Sequence, residues 1–277
     1  VYVGAHRSMG NPRRGLYILC VSMAANTFLN WVFIFGNLGA PRLGVTGAAL
    51  ATLLARVLSF TVMVVWAIRD KKFRIRPALL LKPGKDMTMR FIRFATPVVC
   101  NETFWGLGTS LFPTIMGHMQ GSQEILAAYA IAGNITNLCT VGVFAIAGTT
   151  AIFIGQEIGS GHMDQVYRLG ALLDLLAVLF GAAAGALFMG VLHLLFIPVL
   201  YPLFKLSAGA GRICTLMLTI QFCFMPLRSF DTTNIVGVLR GGGDVRMATI
   251  IDLLPLWVAA IPLAAILGLV VKADILW

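Results

Sequence analysis

The sequence predicts an all-α membrane protein, a polytopic helical bundle of about seven transmembrane helices. Three observations lead there. Of the 277 residues, 58 % are apolar and only 12 % charged. The apolar residues gather in long runs between short polar connectors, and the basic residues crowd into alternate connectors. A soluble globule carries roughly a quarter charged residues, and this chain has too few polar side chains to coat one. Soluble enzyme folds and disordered chains are excluded on the same ground.

Crossing about 30 Å of hydrocarbon takes roughly 20 apolar residues in a helix, and only helices or closed barrels satisfy their backbone there. The first window, residues 15–35, opens directly after Arg13 and Arg14. The second, 44–68, follows Pro41 and Gly44 and ends at Arg69. The third, 94–116, follows Arg93 and holds Pro97 beside the polar pair Asn101 and Glu102. The fourth is 125–154, and the fifth, 169–197, carries a small-residue face from Gly181 to Gly185 suited to close helix contact. The sixth, 207–238, contains Pro226, Arg228 and Asp231, and the seventh is 247–271. None shows the alternation of a membrane β-strand.

Basic residues are retained in short cytoplasmic loops. Fifteen Lys and Arg fall in one set of alternate connectors and four in the other, which places the richer set in the cytosol. The longest connector, 69–93, holds nine of the fifteen and reads as a cytoplasmic linker. Its segment 72–76 is either solvated or laid on anionic headgroups. The chain thus divides into residues 1–68 with two spans, the linker 69–93, and residues 94–277 with five spans. The net charge of +10 has a topological cause, and without interleaved aromatics it does not point to nucleic acid.

Five cysteines lie within apolar stretches at no metal-binding spacing and read as free thiols. His6, His118, His162 and His193 form no i, i+4 pair, so no metal site is expected. No signal peptide is visible, and neither end reads as a finished terminus, so the chain is expected to be a fragment.

One internal echo is clear. Arg7-Ser8-Met9-Gly10-Asn11-Pro12-Arg13 parallels Arg240-Gly241-Gly242-Gly243-Asp244-Val245-Arg246 at an offset of 233 residues. In each, an Arg leads into a glycine turn, an Asn or Asp able to cap the next helix, and a second Arg. An even number of spans separates the copies, so the halves are parallel repeats about an axis along the membrane normal, as in one class of secondary transporter.

A charge at mid-bilayer costs about 2.5 to 3.5 kcal/mol on insertion scales, so an acid inside a span is a functional candidate. Glu102 is the foremost. It is expected to be a desolvated carboxyl that exchanges a proton or Na⁺, the alternative being a Glu satisfied by a neighbouring helix. Asp231 is either a second cation ligand or the partner of Arg228 at i, i−3. Asn134, Asn137 and Tyr129 offer uncharged oxygens for a cation or hydrogen bonds between helices. Asp252 and Asp174 read as shallow acids near the interface. No nucleophile and base pair of an enzyme is present.

The connector from Arg7 to Arg13, the span start from Pro41 to Ala49, the segment from Ala95 to Glu102 and the run from Asn234 to Asp244 together resemble multidrug and toxic compound extrusion (MATE) transporters. The resemblance covers essentially the whole chain. It implies two lobes of six helices, of which this chain looks like helices five to eleven. It also implies efflux of lipophilic cationic drugs or toxic organic compounds in exchange for H⁺ or Na⁺ by alternating access. The setting implied is the cytoplasmic membrane, with no cofactor beyond the coupling ion, and a monomer when full length. The ion-coupling residues it implies are Glu102, Asp231, Asn134 and Tyr129, with Asn101, Asn137 and Trp105 on the substrate cavity. Arg7, Arg13, Arg240, Asp244 and Arg246 form the repeated cytoplasmic loop. The rival readings are a lipid-linked oligosaccharide flippase of the same broad superfamily, to which Arg56 and Arg228 lend a cationic cavity, and a seven-helix receptor.

Overall fold

A computed structural model describes residues 2–8, 11, 13–70 and 84–271. Among these there are helices and turns and no strands. The chain forms two compact units, Val1–Lys85 and Asp86–Trp277.

The first unit is a short helix α1 (Tyr2–Ser8) and a pair of long helices, α2 (Arg13–Phe35) and α3 (Val45–Arg69). α2 ends where Gly36 takes φ 76°. A 3₁₀ turn, Asn37–Gly39, then sends the chain back, and Leu43 N–H donates to Phe33 carbonyl at 3.0 Å. α3 can lie close on α2 because residue 47 is glycine: a Cβ there would fall 2.4 Å from Phe33 carbonyl oxygen. At one end Asp70 is buried, and it accepts from Arg14 and pairs with His6 at 2.8 Å, which ties α1, α2 and the end of α3 together.

The second unit begins with α4 (Lys85–Gly117) and α5 (Ser122–Ser160). α6 runs Met163–Leu203, α7 Ala208–Cys223, α8 Met225–Leu239 and α9 Val245–Val270. α5 is the central post, with α6, α7 and α8 packed against it. Its residues Ile125, Ala128, Ala132, Ile135, Cys139 and Val143 recur at three- and four-residue steps. They form one stripe that meets Leu192 and Phe196 of α6, Cys214 and Leu218 of α7, and Met225 of α8. With 39 residues α5 is about 58 Å long. Ser207 caps α7, accepting from Ala210 N–H at 3.1 Å, and donates to Glu124 of α5 at 2.6 Å. The expected small-residue face is used: a Cβ on Gly181 would fall 2.8 Å from Met225 carbonyl oxygen, and one on Gly185 2.5 Å from that of Phe222.

α4 meets α9 through side chains. The rings of Phe104 and Trp257 sit edge to face at 6.1 Å, Trp257 Nε1 donates to Phe104 carbonyl at 3.2 Å, and Leu256 fills the notch at Gly108. Outer faces expose large apolar side chains such as Leu19 and Phe28 on α2, Phe60 on α3 and Leu138 and Phe144 on α5. Such faces suit hydrocarbon and not water.

Two windows differ from expectation. Among the described residues five helices are long and apolar enough to cross a membrane, and a sixth span is the pair α7 and α8, bent by 56°. The bend falls at Phe224, where Pro226 withholds an N–H from the next turn. The remaining window is the 33-residue α4, long enough to cross but less apolar because Asn101, Glu102, Thr103, Thr109 and Ser110 lie along it. It also begins at Lys85, so the last part of the expected linker is helix. The headgroup segment 72–76 lies outside the described residues. Wide π turns occupy Leu192–Leu200, Thr233–Leu239, Pro255–Ala260 and Ile266–Val270. Pro198, Pro255 and Pro262, each short of a ladder donor, lie in or beside three of them.

The two copies of the loop echo share a backbone hydrogen bond. Asn11 N–H reaches His6 carbonyl and Asp244 N–H reaches Leu239 carbonyl, each at 2.9 Å. These are the same bond at the same offset of 233 residues, of the kind that closes a helix end. Asp244 also caps α9 through Met247 N–H at 3.2 Å. Met9, Gly10 and Pro12 lie outside the described residues.

Candidate functional site

The site is built where α4, the end of α8 and α9 converge. On α4, Asn101 points inward and is 1 % exposed. Glu102, a hundred degrees further round the helix, points to the rim, and its side chain is 58 % exposed. This corrects the expectation of a desolvated carboxyl at 102: the inward position belongs to its neighbour. Arg240 lies just past the last turn of α8, and its side chain is 18 % exposed. Asp252 stands two turns into α9.

The polar atoms form one connected group. Arg240 Nη1 donates to Glu102 Oε1 at 2.8 Å, and Nη2 lies 3.5 Å from Asp252 Oδ2. Asn101 Nδ2 donates to that same oxygen at 2.8 Å. The guanidinium thus presents two arms of its planar fork to two carboxylates on different helices. With all three groups ionised the cluster carries one excess negative charge. Asn101 Oδ1 is buried and accepts no hydrogen bond among the described residues. A lone buried acceptor beside surplus negative charge suits a proton or a small cation.

The other expected residues are not gathered here. Tyr129 is half-buried, and Asn134 and Asn137 are exposed along α5. Among the described residues none of them joins the Glu102 group by a hydrogen bond. Trp105 is exposed on α4. Asp231 makes no ion pair with Arg228 among the described residues; it interacts at longer range with both Arg228 and Asp252. Arg7, Arg13, Asp244 and Arg246 are exposed, and only Arg240 of the repeated loop enters the cluster. All five cysteines are free thiols.

Sequence reasoning missed the convergence of Arg240 and Asp252, taking the first as a loop charge and the second as an interfacial acid. A signal existed. The four-residue turn 241–244 folds α9 back beside α8, so an acid two turns in returns to the level a long Arg stem can reach. Asp174 is likewise buried on α6 and bonded to Asn234 of α8 at 3.2 Å, so it is not shallow.

Long apolar helices with an ion-pair cluster set among them define a polytopic helical membrane protein. A family model described as MatE matches residues 98–266, and the chain belongs to the MatE family. It is 25 % identical over 269 residues to the probable multidrug resistance protein NorM of Thermotoga maritima, covering 96 % of this chain and 56 % of that protein. It is 28 % identical over 269 residues to the probable multidrug resistance protein NorM of Mesorhizobium japonicum, covering 94 % of this chain and 56 % of that one. The chain therefore spans about half the length of these relatives. Among solved structures it superimposes with a TM-score of 0.82 on the outward-facing conformation of a multidrug resistance MATE family transporter, at 21 % identity over 97 % of this chain and 58 % of the other. That likeness establishes the fold.

Proposed function

We propose that the chain is part of a secondary active efflux transporter of the cytoplasmic membrane. It would export lipophilic cationic drugs or toxic organic compounds in exchange for H⁺ or Na⁺ by alternating access. On this reading residues 1–68 end the N-terminal lobe, 69–93 are the cytoplasmic linker and 94–277 are most of the C-terminal lobe. The full-length protein works as a monomer in the lipid bilayer, without nucleic acid and without a cofactor other than the coupling ion.

The observation that carries this reading is the Glu102, Arg240 and Asp252 group. A cation or proton arriving at Glu102 competes with Arg240 for the carboxylate. Arg240 then turns wholly to Asp252, and the tie from α4 to the α8–α9 hairpin loosens. An ion that binds the two arrangements unequally shifts the balance between them, which is what exchange requires. Asp231, Asn134 and Tyr129 remain candidate ligands further along the ion path, and Asn101, Asn137 and Trp105 candidate walls of the drug cavity.

The flippase reading is not favoured. It needs a cationic cavity for phosphates, whereas Arg240 is already matched by two acids, and the similar relatives carry multidrug resistance names. The test uses vesicles holding the full-length parent, with ΔpH and Na⁺ gradients imposed separately and export of a fluorescent organic cation followed. Glu102→Gln is expected to abolish the response to the driving gradient. Export at the parent's rate in that variant removes Glu102 from the mechanism.

A further inference from the structure

A second acid in the spans is unaccounted for by the Glu102 group. Asp174, on α6, is 9 % exposed. Its Oδ2 accepts from Asn234 Nδ2 at 3.2 Å, while its Oδ1 is buried with no hydrogen-bond partner among the described residues. Both residues line a cavity of about 670 Å³ between α6 and α8, whose other walls include Tyr167, Ala171, Val178 and Phe230. The size falls within the usual range for small-molecule sites, ~300 to 1,000 Å³.

The chemistry of the lining is one-sided. It offers one carboxylate and one side-chain amide, two aromatic rings and otherwise apolar walls, with no basic residue. An unpartnered carboxylate oxygen in such a place is costly until something donates to it. A divalent metal is a poor match, because among the described residues no three His, Cys, Asp or Glu side chains cluster. An anion would be repelled. An ammonium group on an apolar body fits each feature. Its N–H donors and its charge suit the Asp174 carboxylate, its positive charge meets the aromatic rings, and its body fills the greasy walls.

The local backbone supports a site that adapts to its occupant. Asn234 sits in the π segment Thr233–Leu239, where the wider turns loosen the ladder.

We propose that the cavity between α6 and α8 is a binding site for an amphipathic amine, held by its ammonium group at Asp174 and Asn234. The site is separate from the Glu102 group, and its occupation does not depend on the export reading. Two sources share this chemistry: a soluble aryl- or alkylamine, and the ammonium of a phosphatidylethanolamine headgroup.

The test is saturable binding of tritiated 2-phenylethylammonium to the full chain in phosphatidylglycerol nanodiscs, with empty nanodiscs subtracted. Asp174→Asn is expected to weaken binding about tenfold or more, the loss of one charge-assisted bond. Ala171→Phe keeps the carboxylate but fills the cavity, and should abolish binding. Leu138→Ala, exposed on the outer face of α5 and outside both this lining and the Glu102 group, should bind as the parent does. The N,N,N-trimethyl analogue, with no N–H to donate, should bind more weakly. Phosphatidylethanolamine that displaces the probe assigns the site to lipid, and failure to displace it assigns it to soluble amines. Absence of saturable binding, or unchanged affinity in both Asp174→Asn and Ala171→Phe, overturns the proposal.

Discussion

Asn101 of α4 donates a 2.8 Å hydrogen bond to Asp252 of α9, a partner 151 residues further along the chain. It joins two helices that also meet at Phe104 and Trp257, and it holds the carboxylate that Arg240 also faces.

Replacing Asn101 by Leu should therefore be felt as a loss of stability. Asp252 would keep only the longer contact to Arg240, and the expected cost is about 1 to 3 kcal/mol. Thermal unfolding in detergent checks it, with Asn101→Asp predicted to be worse because it faces one carboxylate with another.

Glu102 should behave in the opposite way. Its side chain is 58 % exposed, so its pair with Arg240 contributes only about 0 to 1 kcal/mol. Glu102→Gln is expected to unfold within about 4 °C of the parent, on the scale of about 2 to 4 °C per kcal/mol for domains of this size. Any loss of gradient-driven export in that variant then reports on coupling and not on folding.

Asp70 in the first unit is the reverse case, with a side chain 2 % exposed and two cationic or polar partners, His6 and Arg14. Asp70→Ala removes the buried carboxylate shared by His6 and the part-buried Arg14, at a cost of about 3 kcal/mol. Limited proteolysis should show faster cleavage near α1, while sites in the second unit keep the parent's rate.

Gly185→Val tests the α6 contact. The new side chain would begin 2.5 Å from Phe222 carbonyl oxygen, and backbone cannot yield as a side chain does. Overpacking of this kind costs about 1 to 3 kcal/mol. Gly190→Val, on the same helix with open space around it, is the matched control and should change stability only by the small helix-propensity difference, which favours Val over Gly.

Hydropathy located the spans because lipid demands long apolar runs, and local chemistry placed Asp244 as a cap. What eluded it was tertiary. The 56° bend at Phe224 lies inside a single sequence window, just ahead of the polar stretch that carries Arg228 and Asp231, and Pro226 was the local hint of it. Glu102 stood out by its rarity, yet its surroundings depend on which side of α4 faces α9, and the inward place went to Asn101. Arg240 and Asp252 were each ordinary interfacial charges when taken singly, and only the return of α9 beside α8 makes them one group. Asp174 was judged by its distance from a span end, whereas its burial is decided by Asn234 and the helix that carries it.

The length of α5 bears on how the molecule is seated. A rod of 39 residues lying wholly within the oily slab would have to lean by about 60° from the membrane normal, well beyond the customary 0 to 40° for such helices. One end must therefore stand clear of the headgroups like a mast. A water-soluble thiol reagent should label a cysteine introduced at Ser160, next to the terminating Gly161, in intact membranes from one side only.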